Sequence, residues 1–293
     1  MASVLQSSLT LVGPGRAGRA FLRSWTEAGG RAAQVIARSE AFDLAASPPG
    51  SSLRLASEDR FEETDLLVLA VPDDAIAACA QDLAGRLRCR FAFHLSGALE
   101  AEALAPLRAG GAFVASLHPL RPFTGAPGED WTGVFVAVEG DRGAAEEGER
   151  IARALGAHPH RLSADRKPLY HAAASLAAGG TVAVLSMAVR ACAAAGVPEE
   201  LAREGLASLA TRAIAAAAKS SFGEALTGPV ARRDVGTVRS HVRALAAEPE
   251  TLALYRALAE EVLSQTPGRG HEEEIRRALV EGGPAEEDCP RPA

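Results

Sequence analysis

The chain is predicted to fold as an α/β protein, a doubly wound parallel sheet followed by an all-α helical domain, on three observations. A short apolar run, Leu9-Thr10-Leu11-Val12, enters Gly13-Pro14-Gly15-Arg16-Ala17-Gly18 and passes at once into Arg19-Ala20-Phe21-Leu22 with helical apolar spacing. Apolar runs and helical segments then alternate as far as about residue 162. From about Ser163 the pattern is helical only and rich in alanine.

The first segment reads as a strand, a tight turn and a helix N-terminus. Gly13 permits the turn, Gly15 lets the backbone approach an anion, and Gly18 lets helix and strand pack closely, while the helix dipole and its free amides favour a pyrophosphate. A Gly-x-Gly-x-x-Gly can arise by chance in a chain with 28 glycines, so its surroundings decide. Here it opens the chain, and a second apolar run, Ala33-Gln34-Val35-Ile36-Ala37, follows about twenty residues later, as the fingerprint requires. The prediction is a Rossmann-type dinucleotide site formed by Gly13, Pro14, Gly15, Arg16, Ala17 and Gly18. At the end of the second run an NAD site would place an acid on the ribose 2′-hydroxyl; this chain has Arg38 and Ser39, which suit a 2′-phosphate, so NADP(H) is expected.

After a polar passage at Ser47 to Ser52, the run Leu66 to Val71 reads as a buried parallel strand ending at Pro72-Asp73, which puts Val71 and Pro72 beside the cofactor. A helix from Ala75 to Leu87, a strand through Phe91 to His94, a helix from Ala101 to Arg108, strands at Ala112 to Pro119 and Gly133 to Val138, and a helix from Ala144 to Leu155 follow. Ligands of such sheets sit outside the carboxyl ends of the strands, which gathers Pro72-Asp73, His94-Leu95-Ser96-Gly97 and Leu117-His118-Pro119-Leu120 in one crevice. His118 can give or take a proton at neutral pH, and Ser96 can hydrogen-bond the same substrate oxygen, as carbonyl reduction or alcohol oxidation requires. The plainer alternatives are a turn histidine capping a carbonyl before Pro119 and a turn serine at a strand end. His94, on the face opposite Leu95, reads as structural.

The helical domain opens with Asp165-Arg166-Lys167-Pro168-Leu169-Tyr170-His171. Lys167 and His171 share one helical face, and Pro168 is tolerated in the first turn. The chain has two lysines, Lys167 and Lys219, against 29 arginines, so an ammonium at this entrance suggests a proton donor; an ordinary helix-start lysine and a core histidine are the alternative. Leu169 to Val189 carries no charge and is long enough to span a bilayer, but its alanine, glycine and polar residues fit the central, buried helix of a helical domain better. The expected organisation is a dinucleotide-binding domain at 1–162, a helical substrate and dimerisation domain at 163–266, and a flexible acidic tail at 267–293 containing one short charged helix.

A net charge of −6 with no basic stripe argues against a nucleic-acid partner. Cys79, Cys89, Cys192 and Cys289 lack Cys-x-x-Cys spacing, so no metal site or disulfide framework is expected. Met1 to Ser8 has no signal-peptide pattern, and a soluble, cytoplasmic protein without membrane association is expected.

The chain to about Thr266 resembles a family of Rossmann-like oxidoreductases with a C-terminal helical domain of unassigned function. The resemblance lies in Gly13 to Gly18, Ala70-Val71-Pro72-Asp73-Asp74, His94 to Gly97, Leu117 to Leu120, Leu169-Tyr170-His171-Ala172-Ala173-Ala174 and Leu226-Thr227-Gly228-Pro229-Val230-Ala231-Arg232. That family is similar to deazaflavin-linked NADP oxidoreductases, pyrroline-carboxylate reductase, ketopantoate reductase and β-hydroxyacid dehydrogenases, which implies NADP, two domains and dimers through the helical domain. Lys167 and His171 resemble the Lys and Asn of β-hydroxyacid dehydrogenases, and Ser96 with His118-Pro119 resembles the site of prephenate dehydrogenases. Ala178-Gly179 stands where family members often have Ser-Asn. The function expected is NADPH-dependent reduction of a small oxo acid, ketopantoate-like or β-hydroxyacid-like, by Lys167, His118, Ser96 and His171 in a homodimer. The alternatives are a non-catalytic NADP-binding sensor or partner protein and a prephenate-type dehydrogenase.

Overall fold

The structure, a computed structural model, describes residues 4–38 and 52–281. Ser39 lies outside the described residues. The chain divides between Ala177 and Ala178 into two compact units.

In the first unit, the continuous apolar runs become inner strands buried on both faces, while the edge strands at 52–55 and 158–161 are largely open. The described strands are β1 (Leu9–Val12), β2 (Ala32–Ala37), β3 (Ser52–Leu55), β4 (Thr64–Leu69), β5 (Cys89–His94), β6 (Phe113–Pro119), β7 (Phe135–Gly140) and β8 (His158–Arg161). They form one sheet in the order β3-β2-β1-β4-β5-β6-β7-β8. The order reverses at β1, so the carboxyl ends of β1 and β4 flank the crevice where such sheets bind nucleotides.

Side-chain alternation splits the core in two. Leu66 and Val68 of β4 and Phe91 and Phe93 of β5 pack on one face with Phe21 and Trp25 of α1 (Arg16–Glu27). Leu67 and Leu69 turn to the other face, against Ile76, Ala80 and Leu83 of α2 (Asp73–Leu83) and Leu107 of α3 (Ala105–Arg108). Ile151 and Ala152 of α4 (Arg142–Ala154) join the first face.

One pairing departs from an all-parallel sheet: β7 runs antiparallel to β6. A parallel return needs a crossover, usually a helix, and Leu120 to Val134 contains none, so the strand comes back beside its predecessor. Helix α4 then restores a parallel crossover to β8. The first unit ends with α5 (Lys167–Ser175) and part of a π-helical stretch, Leu176–Gly180. Compactness thus divides the chain some fifteen residues beyond the point where the sequence turns wholly helical.

The second unit holds α6 (Thr181–Ala194), α7 (Glu199–Ala217), α8 (Phe222–Ala225), α9 (Val235–Ala244), α10 (Pro249–Gln265) and α11 (Glu272–Glu281). Its core is built from Val238 and Val242 of α9, Leu252, Ala259 and Leu263 of α10, and Ile275, Ala278 and Leu279 of α11. The short charged helix expected beyond residue 266 is α11, and its apolar stripe is buried. The buried Arg233, with a left-handed backbone (φ 60°), ties α11 down by donating to Gly270 O and Thr266 Oγ1 and by pairing with Glu272 at 3.2 Å.

The segment Leu169 to Val189, read as a central buried helix, is instead largely exposed within the single chain. Leu169 and Leu176 of the first unit are 68% and 73% exposed, and Val182 is 67% exposed because in the second unit α6 packs on α7 and its outer face has no cover. Among the described residues, the helical run Ala164–Ala194 is the one long and apolar enough to cross a membrane, with mean hydropathy 1.8 in its best window. Its first turns are nevertheless fixed in the sheet unit by the buried Lys167.

Candidate active site

The glycine turn has the geometry its sequence implies. Gly13 adopts φ +85°, and a Cβ there would lie 2.8 Å from Val71 Cγ1 and 2.9 Å from Ala70 O. Only glycine fits both the conformation and the space. At Gly18 a Cβ would lie 2.4 Å from Gly13 O, so α1 and the turn touch through bare backbone. At Gly15 nothing lies within 4 Å of such an atom, and Gly15 caps α1 without a side-chain bond to the free amides. A cradle that is tight at Gly13 and Gly18 and open at Gly15 fits a pyrophosphate held by the amides of residues 16–18, the Gly15 amide being donated to Gly13 O at 2.8 Å. Arg38, at the end of β2, is exposed and makes no hydrogen bond or ion pair among the described residues. Val71 and Pro72 follow β4, with Pro72 capping α2.

Helix α5 lies against the carboxyl ends of β5 and β6. Residues 167, 170 and 171 fall on one helical face, and residues 116 and 118 on one face of β6, so two pairs meet. Lys167 Nζ donates to Ser116 Oγ and to Leu99 O, and lies 3.7 Å from Glu139 Oε2 on β7. Tyr170 Oη is 2.8 Å from His118 Nδ1, and the two rings meet edge to face at 5.6 Å.

Lys167 is 1% exposed, and burial pushes its ammonium down to about 8 although the Glu139 carboxylate supports the charge. Its ammonium donates to Ser116 and Leu99 and is paired with Glu139, while Glu139 also accepts from the Ala101 amide at 2.7 Å. It is a buried anchor for α5. His118 is lowered to about 4, first by burial and then by His171 and Lys167, so it is neutral at physiological pH. Burial raises the Tyr170 hydroxyl to about 12.

The turn after β5 is shaped by two of the predicted residues. His94 is fully buried and lowered to about 4 by burial and by Lys167. Its Nδ1 accepts from the Ser96 amide at 3.2 Å, so the proton sits on Nε2 and is donated to Glu100 O at 3.0 Å. This is the structural role expected of it. Ser96 Oγ accepts from the amides of Ala98 and Leu99, both at 3.1 Å, which makes it the cap of its own turn.

Gly97 ends this turn between two imidazoles. A Cβ there would lie 2.7 Å from His118 Nε2 and 2.8 Å from His171 Nδ1. His171 Nδ1 is buried and without a hydrogen-bond partner among the described residues. The site therefore brings together His118, His171 and Tyr170 around Gly97, with Lys167 beneath them and the Asp73 carboxylate near enough to act on both His118 and Lys167.

Three contributors escaped the sequence reading. Tyr170 lies on the face shared by Lys167 and His171, so its helical spacing was a usable signal. Glu139 and Ser116 were hidden, because β7 and β6 read only as apolar runs.

Comparison with known proteins finds two successive matches along the chain, the second beginning within the sheet, before the split between the two units. Residues 3–119 match the Rossmann-like domain, and residues 134–262 match a domain of unknown function, DUF2520. No curated protein matches the chain. The fold is similar to that of a protein from Thermotoga maritima, at 21% identity and TM-score 0.71 over 92% of this chain and 98% of that one. It is also similar to a pyrroline carboxylate reductase from Plasmodium falciparum with NADP bound, at 12% identity and TM-score 0.56 over 89% and 98% of the two chains. An imine reductase from Myxococcus stipitatus in complex with NADP+ gives 18% identity and TM-score 0.56 over 93% and 94%. At these identities the likeness is one of fold, and the matches in sequence and shape together identify the chain as a Rossmann-like domain joined to a DUF2520 domain.

Proposed function

We propose that the protein is an oxidoreductase that uses NADP(H) to reduce a small oxo acid. The observation that carries this reading is the neutral His118, hydrogen-bonded to Tyr170, at the carboxyl end of β6 in the same sheet as the glycine cradle. The nicotinamide, when bound, would supply hydride. The chain's own part is to hold the cofactor at Gly13 to Gly18, Val71 and Pro72, to receive a 2′-phosphate at Arg38, and to donate a proton to the developing oxyanion. His118 suits that last role better than Lys167, whose protons are already engaged. Ser96, as the cap of its own turn, and Lys167, as the α5 anchor, serve the site by holding Gly97 and His171 in place.

A second reading, reduction of a carbon–nitrogen double bond, is favoured by the unpartnered His171 Nδ1, which can accept from an N–H group as readily as it can donate to an oxygen. The pyrroline carboxylate and imine reductases of similar fold support it. NADPH consumption with panels of oxo acids and cyclic imines separates the two. Binding of NADPH without turnover on either panel would favour a sensor. Arg38→Asp is expected to weaken NADPH by about 10- to 100-fold, the loss of one charge-assisted contact, and to leave NADH little changed. Equal affinities for the two cofactors in the unaltered protein would remove the NADP assignment.

A further inference from the structure

His118 has two nitrogens in different surroundings, and counting protons assigns them. The ring is neutral, so it carries one proton. Tyr170 Oη has His118 Nδ1 as its hydrogen-bond partner at 2.8 Å. If Nδ1 carried the proton and donated, the Tyr170 hydroxyl proton would be left to solvent, because no second protein acceptor for it is present among the described residues. If Tyr170 donates instead, both groups are satisfied, and the imidazole proton is left on Nε2. That nitrogen faces the bare Cα of Gly97, where the neighbouring polar atom is the unpartnered His171 Nδ1. The Tyr170 ring is steadied on its other side by Phe135, 6.2 Å between centroids.

We propose that Tyr170 and His118 form a proton relay in which the Tyr170 hydroxyl fixes His118 as the Nε2–H tautomer and replaces the proton that Nε2 delivers into the cleft. The proposal rests on the reductase reading. A reduced nicotinamide, when bound, would supply hydride to the carbonyl carbon, so that the carbon–oxygen π electrons would move to oxygen and need a proton there. The His118 Nε2–H bond breaks as the O–H bond forms. Nδ1 takes the Tyr170 proton in the same event, so the ring remains neutral and the charge ends on the Tyr170 phenolate, which solvent reprotonates. The relay removes the need for an imidazolium, which a group buried beside Lys167 is poorly placed to form. Tyr170 acts through His118 and is a positioning residue by this account.

The test is the tautomer of His118 in ligand-free protein, read from long-range proton–nitrogen correlations of the histidine-labelled full chain at neutral pH. The expected result is a single Nε2–H tautomer, turning into a mixture in Tyr170→Phe. A wild-type ring protonated on Nδ1, or a tautomer unchanged in Tyr170→Phe, overturns the relay. With a working substrate, Tyr170→Phe should lower kcat by about 10- to 100-fold and leave NADPH affinity unaltered, since only the proton path is cut; an unchanged kcat also overturns it. If no oxo acid or imine consumes NADPH, the reductase reading fails by itself, while the tautomer measurement still decides whether Tyr170 sets His118.

Discussion

Single residues at this site are held by more partners than their sequence positions imply, and the consequences can be measured. His94 and His118 both have folded-state values near 4 against an ordinary 6.5. Between those values the unfolded chain binds more protons than the folded one, so stability falls as pH drops from about 6.5 to 4. Urea midpoints measured across that range should decline, with a shallower slope in His94→Gln. Lys167→Met should leave Glu139 buried without its cation and cost about 3–5 kcal/mol of stability. A normal midpoint with abolished turnover would instead restore Lys167 as a proton donor. Gly97→Ala should disturb both imidazoles at once, because a methyl group there would meet His118 and His171 closer than van der Waals contact. Turnover should fall while cofactor titrations remain normal.

At the scale of elements, the cradle and α5 differ in how readily the chain announces them. The Gly13 to Gly18 turn was legible because its glycine spacing is contiguous in sequence, although Gly13 answers to Ala70 and Val71 far along the chain; Gly18 answers to Gly13 O, and Gly18→Ala should weaken NADPH binding and cost about 1–3 kcal/mol through that collision. Thermal unfolding and cofactor titration of that variant check both effects. The strands β1, β2, β4, β5 and β6 were legible as apolar runs, and His118 was found because it ends one of them. The antiparallel return of β7 was not, since strand direction depends on the connection and not on the apolar pattern. Ser96 was read for chemistry, whereas its hydroxyl is engaged by two amides of its own turn, a choice that a three-residue stretch leaves open. Helix α11 was expected as a short charged helix, but its packing was not, because acidic residues on its exposed face mask the stripe of Ile275, Ala278 and Leu279.

For the whole molecule, the exposed apolar surface of the second unit is the largest unmet demand. Leu201 and Leu209, two turns apart on α7, are 61% and 64% exposed, and Val182 of α6 is similar. Surface of this kind calls for a partner, and a second copy of the chain is the occupant we expect, in accord with a homodimer through the helical unit. Light scattering should give twice the 30.3 kDa chain mass, and Leu201→Glu with Leu209→Glu should give the single mass with helical content retained. A wild-type monomer at micromolar concentration would sink the idea. The burial of Lys167 has a practical side as well. The chain carries two lysines, and Lys219 is exposed while Lys167 is sealed. An amine-selective reagent applied to the native protein therefore has one lysine side chain to modify, so that, apart from the α-amine, Lys219 is the attachment point for a fluorophore or surface tether. Reaction at Lys167, followed by peptide mass, would in turn clock each departure of α5 from the sheet.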